Sequence, residues 1–540
     1  MLYSRTNNYF AVMLILSILF IVSLYSSAYA IKQEVEHNLG YYLINARKFE
    51  AQNNLDQALS NYLQAVKLDS KNYELYFKIG QIFDNKKDYS NAARAYKKAL
   101  LLKPDSSDAM IRLASASYSS GQYILALKYL YKIKDLNINL DAGEEAKLKF
   151  LEEKFSNIYA PVKFGGKWGY INKLGEMVYK PQFDSATEFN EGLSIISESA
   201  EGVELFGAMN LNGIISIEPY YESILFFHNG LAVFNHNGLY GVINTKGDVI
   251  AKPEYDYIGN FIDGYAVVKK GSLYGLINTA GSEVIKPVYA DIKPFKDGLA
   301  LFLSSNGYNF MSRSFNNICR ENFSIASEFS EGLAAIVEKN NWGYIDKNCK
   351  FVIKPSFGNA RDFSNGLAAV SKSPKASDKW GYIDKSGRLV IKMKFSDPLE
   401  FSDGLAAVKV KNQYGYIDNK GKFAIPPAFD EASNFINGMA LVRIDDKYGY
   451  IDKTGNYIIA PELFEPLHFV EGLASFRNSN GKYGYIDNKG IVKIEPAFEY
   501  AGSFNKELAV VKYEGRYGYI DKEGDFFVNP DYEDARPFTE

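Results

Sequence analysis

Residues 380–387 read Trp380-Gly381-Tyr382-Ile383-Asp384-Lys385-Ser386-Gly387, with Leu389-Val390-Ile391 just beyond. The flanks are β-rich, and Asp384 and Gly387 have the Asx-x-x-Gly spacing of a turn. In such a turn the Asx side chain caps backbone N–H groups and glycine takes the φ > 0 site. The stretch therefore predicts two strands of a hairpin. Farther along, Gly404-Leu405-Ala406-Ala407-Val408 predicts a third strand joined by a short polar turn.

The same frame recurs through residues 160–540. The aromatic-Gly pair stands at Trp168, Phe206, Tyr240, Tyr274, Trp342, Trp380, Tyr414, Tyr448, Tyr483 and Tyr517, at a period close to 34 residues. Tyr308-Asn309 keeps the frame as a degenerate eleventh member, with Ser312 and Phe315 where Asx and Gly belong. A phenylalanine follows every copy at a fixed offset: Phe189, Phe227, Phe261, Phe295, Phe329, Phe363, Phe401, Phe435, Phe469, Phe504 and Phe538. This periodic placement accounts for an aromatic content of 15% with only three tryptophans. A three-stranded unit of this size cannot fold alone, so the bulky rings are expected to weld neighbours together. Proline, as at Pro181, Pro427 and Pro530, is expected to end the last strand by removing a ladder donor.

The pattern is similar to the WG repeat family, the best match being Trp380 to Gly387; most copies place tyrosine where that family has tryptophan. The resemblance implies no catalytic activity. The expected fold is an α plus all-β repeat protein whose C-terminal part is an array of eleven three-stranded antiparallel β units. Ala160 to Phe164 aligns with the third-strand position and Phe538 falls where the next would start, so a whole number of units is expected. Eleven exceeds the usual number of propeller blades. Propeller-like rings and an open superhelical array both follow, with residues 308–323 the expected break.

Residues 31–156 carry a different period. Tyr76, Ile79-Gly80, Phe83, Tyr89, Ala92, Tyr96, Ala99 and Pro104 have helical spacing with small residues where two helices meet. This segment resembles the tetratricopeptide repeat. A shift of 34 residues back gives Tyr42, Ala46, Ala58 and Tyr62, and a shift forward gives Leu113, Ala114, Gly121 and Ala126. Residues 142–155 predict a capping helix. Three repeats and a cap are expected to form a helical solenoid. The resemblance implies a groove that takes a protein or peptide partner, with Arg47, Glu50, Phe77, Gln81, Asn85 and Tyr118 as the candidate groove residues.

Residues 1–30 begin with Arg5 as the only charge, run apolar from Phe10 to Leu24 and leave through Ala28-Tyr29-Ala30, the pattern of a cleaved signal peptide. Residues 10–28 acting as an uncleaved membrane anchor are the alternative. Either way the rest is expected to be exported, periplasmic or extracellular. The net charge of −3 gives no footprint for nucleic acid. No phosphate-binding loop, metal-ligand spacing or nucleophile elbow appears, so no catalytic residue, metal or cofactor is expected. Cys319 and Cys349 leave a disulfide and two free thiols as equal alternatives. Insertions at residues 197–202 and 372–378 are candidate partner-meeting loops. A non-enzymatic binding scaffold is the first reading. Its rival is a binder of carbohydrate that uses the repeated aromatic faces.

Overall fold

The computed structural model describes residues 38–200, 202–375 and 379–539. The segment expected to be a signal peptide or anchor lies outside them. Among the described residues no helix is long and apolar enough to cross a membrane. The chain divides into two compact units at Ser156 and Asn157.

The first unit is a row of helices. Helix α1 covers residues 38–51. It is followed by α2 (Leu55–Leu68), α3 (Tyr73–Asn85), α4 (Tyr89–Leu102), α5 (Ser107–Ser119), α6 (Tyr123–Asp135) and α7 (Ala142–Phe155). Helices α1 to α6 form the three expected pairs, and α7 is the cap. Short polar caps start several of them: Asp88, Ser106 and Asp141 each accept a backbone N–H from the first turn of the following helix. Ala46, Ala58, Tyr62, Ala65 and Ile79 share one core cluster. Gly80 is small for a packing reason, since a methyl there would lie 2.5 Å from the Tyr96 ring. Helix α4 ends before Pro104, as expected.

In the second unit eleven antiparallel sheets follow one another, and the last strand of the chain completes the first sheet. Asp534–Ala535 pairs with Tyr159–Phe164, through Val162↔Ala535 and Lys163↔Asp534. One closed, eleven-membered, propeller-like ring results. The open array and the two smaller rings are therefore excluded, and residues 308–323 are not a break.

Most sheets have four strands where three were expected. In all but the last of these sheets the additional strand is a two-residue segment just before the recurring phenylalanine, such as Asp397–Pro398 in the eighth sheet. It was missed because two residues carry no alternation for a pattern to reveal.

The aromatic-Gly pair has a geometric reason. In the seventh sheet Trp380 pairs with Phe395 and Tyr382 with Ile391, so the partner strand carries extra residues opposite Gly381. This is a β-bulge, and a methyl on Gly381 would come 2.3 Å from the Ile391 carbonyl oxygen. Proline belongs to the same bulge. Strand Phe423–Phe429 runs past Pro427 to reach Phe429, so proline does not end the strand as expected. It sits opposite the glycine, where no ladder hydrogen bond is needed.

The turn reading holds. Asp384 Oδ1 accepts the backbone N–H groups of Ser386 and Arg388, both at 3.0 Å. Gly387 has φ +84°.

The rings that join neighbouring sheets are only partly those expected. The recurring phenylalanines are mostly buried. In seven units their partner is the tyrosine two residues after the aromatic-Gly aromatic, a position held by Ala208, Val242, Leu276 and Phe310 in the other four. Tyr382 meets Phe401 at 5.0 Å between ring centres, Tyr416 meets Phe435 at 4.8 Å and Tyr519 meets Phe538 at 4.7 Å. Each of these tyrosines donates its hydroxyl to a backbone carbonyl in the segment entering the next sheet, at Leu399, Ser433 and Arg536. Burial pushes the three phenols above their ordinary range. By contrast Trp342, Trp380, Tyr414 and Tyr448 are only half-buried.

The degenerate fifth unit is repaired. Its sheet lacks the third long strand. Asn309, in the glycine position, is buried, and its side chain adds hydrogen bonds to the few backbone bonds that hold the segment replacing that strand. It donates to the Cys319 carbonyl at 3.0 Å and accepts from the Phe310 and Cys319 N–H groups. Cys319 forms a disulfide with Cys349 of the sixth sheet's turn, with Cα atoms 5.4 Å apart. This settles the two alternatives left open for these cysteines.

A polar latch also links successive sheets. The acidic residue in the turn before the first long strand meets a basic residue from the next sheet's Asx turn. Asp263–Arg313 (2.6 Å), Glu331–Lys385 (3.2 Å) and Glu471–Lys522 (3.0 Å) are examples. Lys385 also donates to the Glu331 carbonyl at 2.9 Å. At the seam between last and first sheets, Lys506 stands where the acid would be, and Lys173 donates to the Lys506 carbonyl.

Lys173 is buried, and desolvation pulls its pKa from 10.5 down to about 7, against the opposing pull of Glu507 and Glu471. The unfolded chain then binds the extra proton between those two values. Stability contributed by this group should rise with pH across that window. Measured against Lys173→Met by chemical denaturation, the wild-type chain should gain relative stability from neutral to alkaline pH. A pH-independent difference would contradict this.

Candidate functional site

A candidate cavity lies in the helical unit. It has a volume of about 450 Å³ and is lined by Asp84 of α3, Tyr89 of α4, Glu144 of α7 and, from α5, Asp108, Ile111, Arg112, Ser115, Ala116 and Ser119. Its charged groups are set by the helix ends. Asp84 lies in the last turn of α3 and accepts the Tyr96 hydroxyl at 2.6 Å. Burial raises its carboxyl pKa, and the Tyr96 hydrogen bond and Arg112 oppose the rise. Arg112 Nη1 stands 3.9 Å from Asp84, and its guanidinium lies over the Phe77 ring at 5.9 Å. At the start of α7 the Asp141 cap accepts the Glu144 N–H at 2.9 Å, placing Glu144 in the first helical turn, where a carboxylate is favoured. Lys147 donates to Glu144 Oε1 at 2.8 Å and to the Ser115 hydroxyl at 2.7 Å, so α5 and α7 are tied across one end of the cavity.

None of the six groove residues expected from sequence lines this cavity directly. Phe77 lies beneath Arg112. Tyr118 packs with Tyr123 and Phe150, at 5.6 and 5.9 Å, and with Lys147 over its ring at 5.8 Å. Glu50 accepts the Tyr62 hydroxyl at 2.9 Å and Lys78 at 3.4 Å, tying three helices together. Gln81 is half-buried, and Arg47 and Asn85 are exposed. A signal for the missed residues was nevertheless present. Moving Phe77, Gln81 and Asn85 forward by one repeat of 34 residues gives Ile111, Ser115 and Ser119, and all three line the cavity. Glu144 had no such signal, because the capping helix is outside the repeat register.

The ring has clefts of its own. One of about 600 Å³ holds Leu225, Phe226, Phe227, His228, Asn260 and Ile262. A neighbouring one of about 610 Å³ shares Asn260 and Ile262. Leu225 and Phe226 are exposed, and other copies place smaller or charged residues at many of the matching positions, such as Gly259 and Glu328.

The insertion at residues 197–202 extends the second sheet's hairpin to strands Leu193–Ala200 and Val203–Asn210. Of the insertion at residues 372–378, three residues lie outside the described part. Several of the aromatic-Gly rings, buried or half-buried, are capped by cations. Arg536 lies over Trp168 at 5.1 Å, Arg361 over Trp380 at 5.2 Å and Lys409 over Tyr414 at 5.0 Å. In these units a face on which a sugar could stack is already occupied.

The WG containing repeat matches residues 168–198, 206–240, 240–274, 274–308, 342–373, 380–414, 414–448, 448–483, 483–517 and 517–540. The chain belongs to the WG-repeat family. The longest unmatched stretch within the ring of this WG-repeat chain, residues 309–341, holds Asn309 and Cys319 of the repaired unit. A TPR repeat matches residues 47–87, and a tetratricopeptide repeat matches residues 73–106.

No curated protein matches the sequence. Solved structures similar to the helical part include the MamA protein, at 22% identity over 22% of this chain and 64% of that one (TM-score 0.21). The alignment thus spans less than two thirds of the MamA chain. Two others are the second TPR domain of the human RPAP3 protein in complex with an HSP70 peptide and the Arabidopsis OM64 TPR domain. They are 16% and 17% identical, each over 22% of this chain and 98% of theirs, with TM-scores of 0.20.

Proposed function

We propose that this WG-repeat protein is a non-enzymatic, exported interaction scaffold. Its helical array holds a peptide segment of a partner, and its ring presents a second, wider surface. The observation that carries the reading is the polar cavity framed by α3, α5 and α7, with its charged side chains held in place by caps and cross-helix hydrogen bonds. Export is supported by the sequence of residues 1–30, with residues 10–28 as a membrane anchor if uncleaved. A disulfide between Cys319 and Cys349 is in keeping with an oxidising compartment.

A displayed library of random peptides, selected on the whole chain, tests the binding role. Selected peptides should bind at least tenfold more weakly to Ser119→Trp, which puts a bulky ring at an exposed edge of the cavity. They should bind unchanged to a chain altered in the ring at Phe226→Ser. Failure to select any peptide, or selected peptides indifferent to Ser119→Trp, would refute the groove.

A further inference from the structure

The cavity of the helical unit has a charge character of its own. Three carboxylates, Asp84, Asp108 and Glu144, face it against one guanidinium. That guanidinium is engaged, lying near Asp84 and over Phe77. Asp108 is exposed at the edge and makes no ion pair among the described residues. Glu144 is only 6% exposed. Its Oε1 accepts from Lys147, while its Oε2 is buried with no hydrogen-bond partner among the described residues.

A buried carboxylate oxygen without a donor carries a desolvation cost that a hydrogen bond would remove. A cationic donor would remove most of it, because charge-assisted bonds are the strong ones. The carboxylates are not arranged for a metal ion, since no three His, Cys, Asp or Glu side chains among the described residues stand close enough to share one. The volume suits a side chain or small group.

We propose that this cavity receives a basic side chain, arginine or lysine, from the partner peptide, with Glu144 and Asp108 as its acceptors. The proposal rests on the reading of the helical array as a peptide groove and adds the sign of the charge it selects. Asp84 is held by Tyr96 and Arg112, so it shapes the pocket and leaves recognition to the other two. The side chain enters beside Ser115 and Ser119, whose small hydroxyls leave the approach open.

Fluorescence anisotropy with the full chain tests this, using a dye-labelled peptide alternating glycine and arginine and a matched peptide alternating glycine and glutamate. The arginine peptide should bind at least tenfold more tightly. Glu144→Gln and Asp108→Asn should each weaken it about tenfold, the effect of losing a charge-assisted hydrogen bond. Asp248→Asn, on the ring, should not change it. Asp108 is exposed, so its variant keeps the test valid even if Glu144→Gln perturbs folding.

Tighter binding of the glutamate peptide, with Arg112→Ala abolishing it, would overturn the charge assignment and leave the groove standing. Arginine-peptide binding unaffected by both carboxylate variants would also overturn it. If neither peptide binds, the groove reading falls together with this one.

Discussion

Phe435→Ala is expected to destabilise the ring by about 3–5 kcal/mol, the range for removing a fully buried phenylalanine. Phe435 is 0% exposed and packs among Leu405, Ala407 and Tyr416 of the eighth sheet and Ala440, Val442 and Ile451 of the ninth. The cavity left behind could not close by moving one sheet, because each sheet is also held by its other neighbour. Hydrogen exchange should speed up most in the eighth and ninth sheets, since stability in stacked repeats is largely a matter of nearest-neighbour interfaces. Trp380→Phe, at a half-buried aromatic-Gly position, should cost far less. If Phe435→Ala costs under about 1 kcal/mol, the ring-to-ring contact is not what joins the sheets.

The second large effect concerns the disulfide. Cys319 and Cys349 are separated by 30 residues, and closing a loop of that length is worth about 3–4 kcal/mol in the chain-entropy treatment. Reduction, or Cys319→Ser, should lower the thermal midpoint and release residues 313–323, which have no long strand to hold them. The two cysteines differ in an informative way. Cys349 has φ +59° at a position where other copies have glycine. Cys349→Gly loses the cross-link but relieves that conformation, so it should be less harmful than Cys349→Ala by about 1 kcal/mol. Equal midpoints for oxidised and reduced protein would refute the structural role.

The repeat architecture was largely legible in the sequence because its signals are periodic. Asx and glycine in the turns, the phenylalanine after each turn and the small residues of the helices recur at fixed offsets, and each has one steric or hydrogen-bonding reason. What escaped was non-periodic or mutual. The closure of the ring depends on pairing Val162 with Ala535, which no local pattern announces. Proline reads locally as a terminator, and only the facing glycine shows it to be half of a bulge. The buried tyrosines were overlooked in favour of the more conspicuous aromatic-Gly rings, because the position of Tyr382 and Tyr416 holds tyrosine in seven units and Ala208, Val242, Leu276 and Phe310 in the others. In the helical cavity, Ser115 and Ser119 followed from the register, whereas Glu144 came from the cap.

Because the ring shuts by pairing its first long strand with its final short one, the number of units is locked by geometry. Duplicating or deleting one would force every junction to reopen its angle at once. Such a molecule diversifies by altering single units in place. The fifth unit, with its asparagine plug and sulfur staple, and the third, with its bare Leu225-Phe226 tip, are examples of that route.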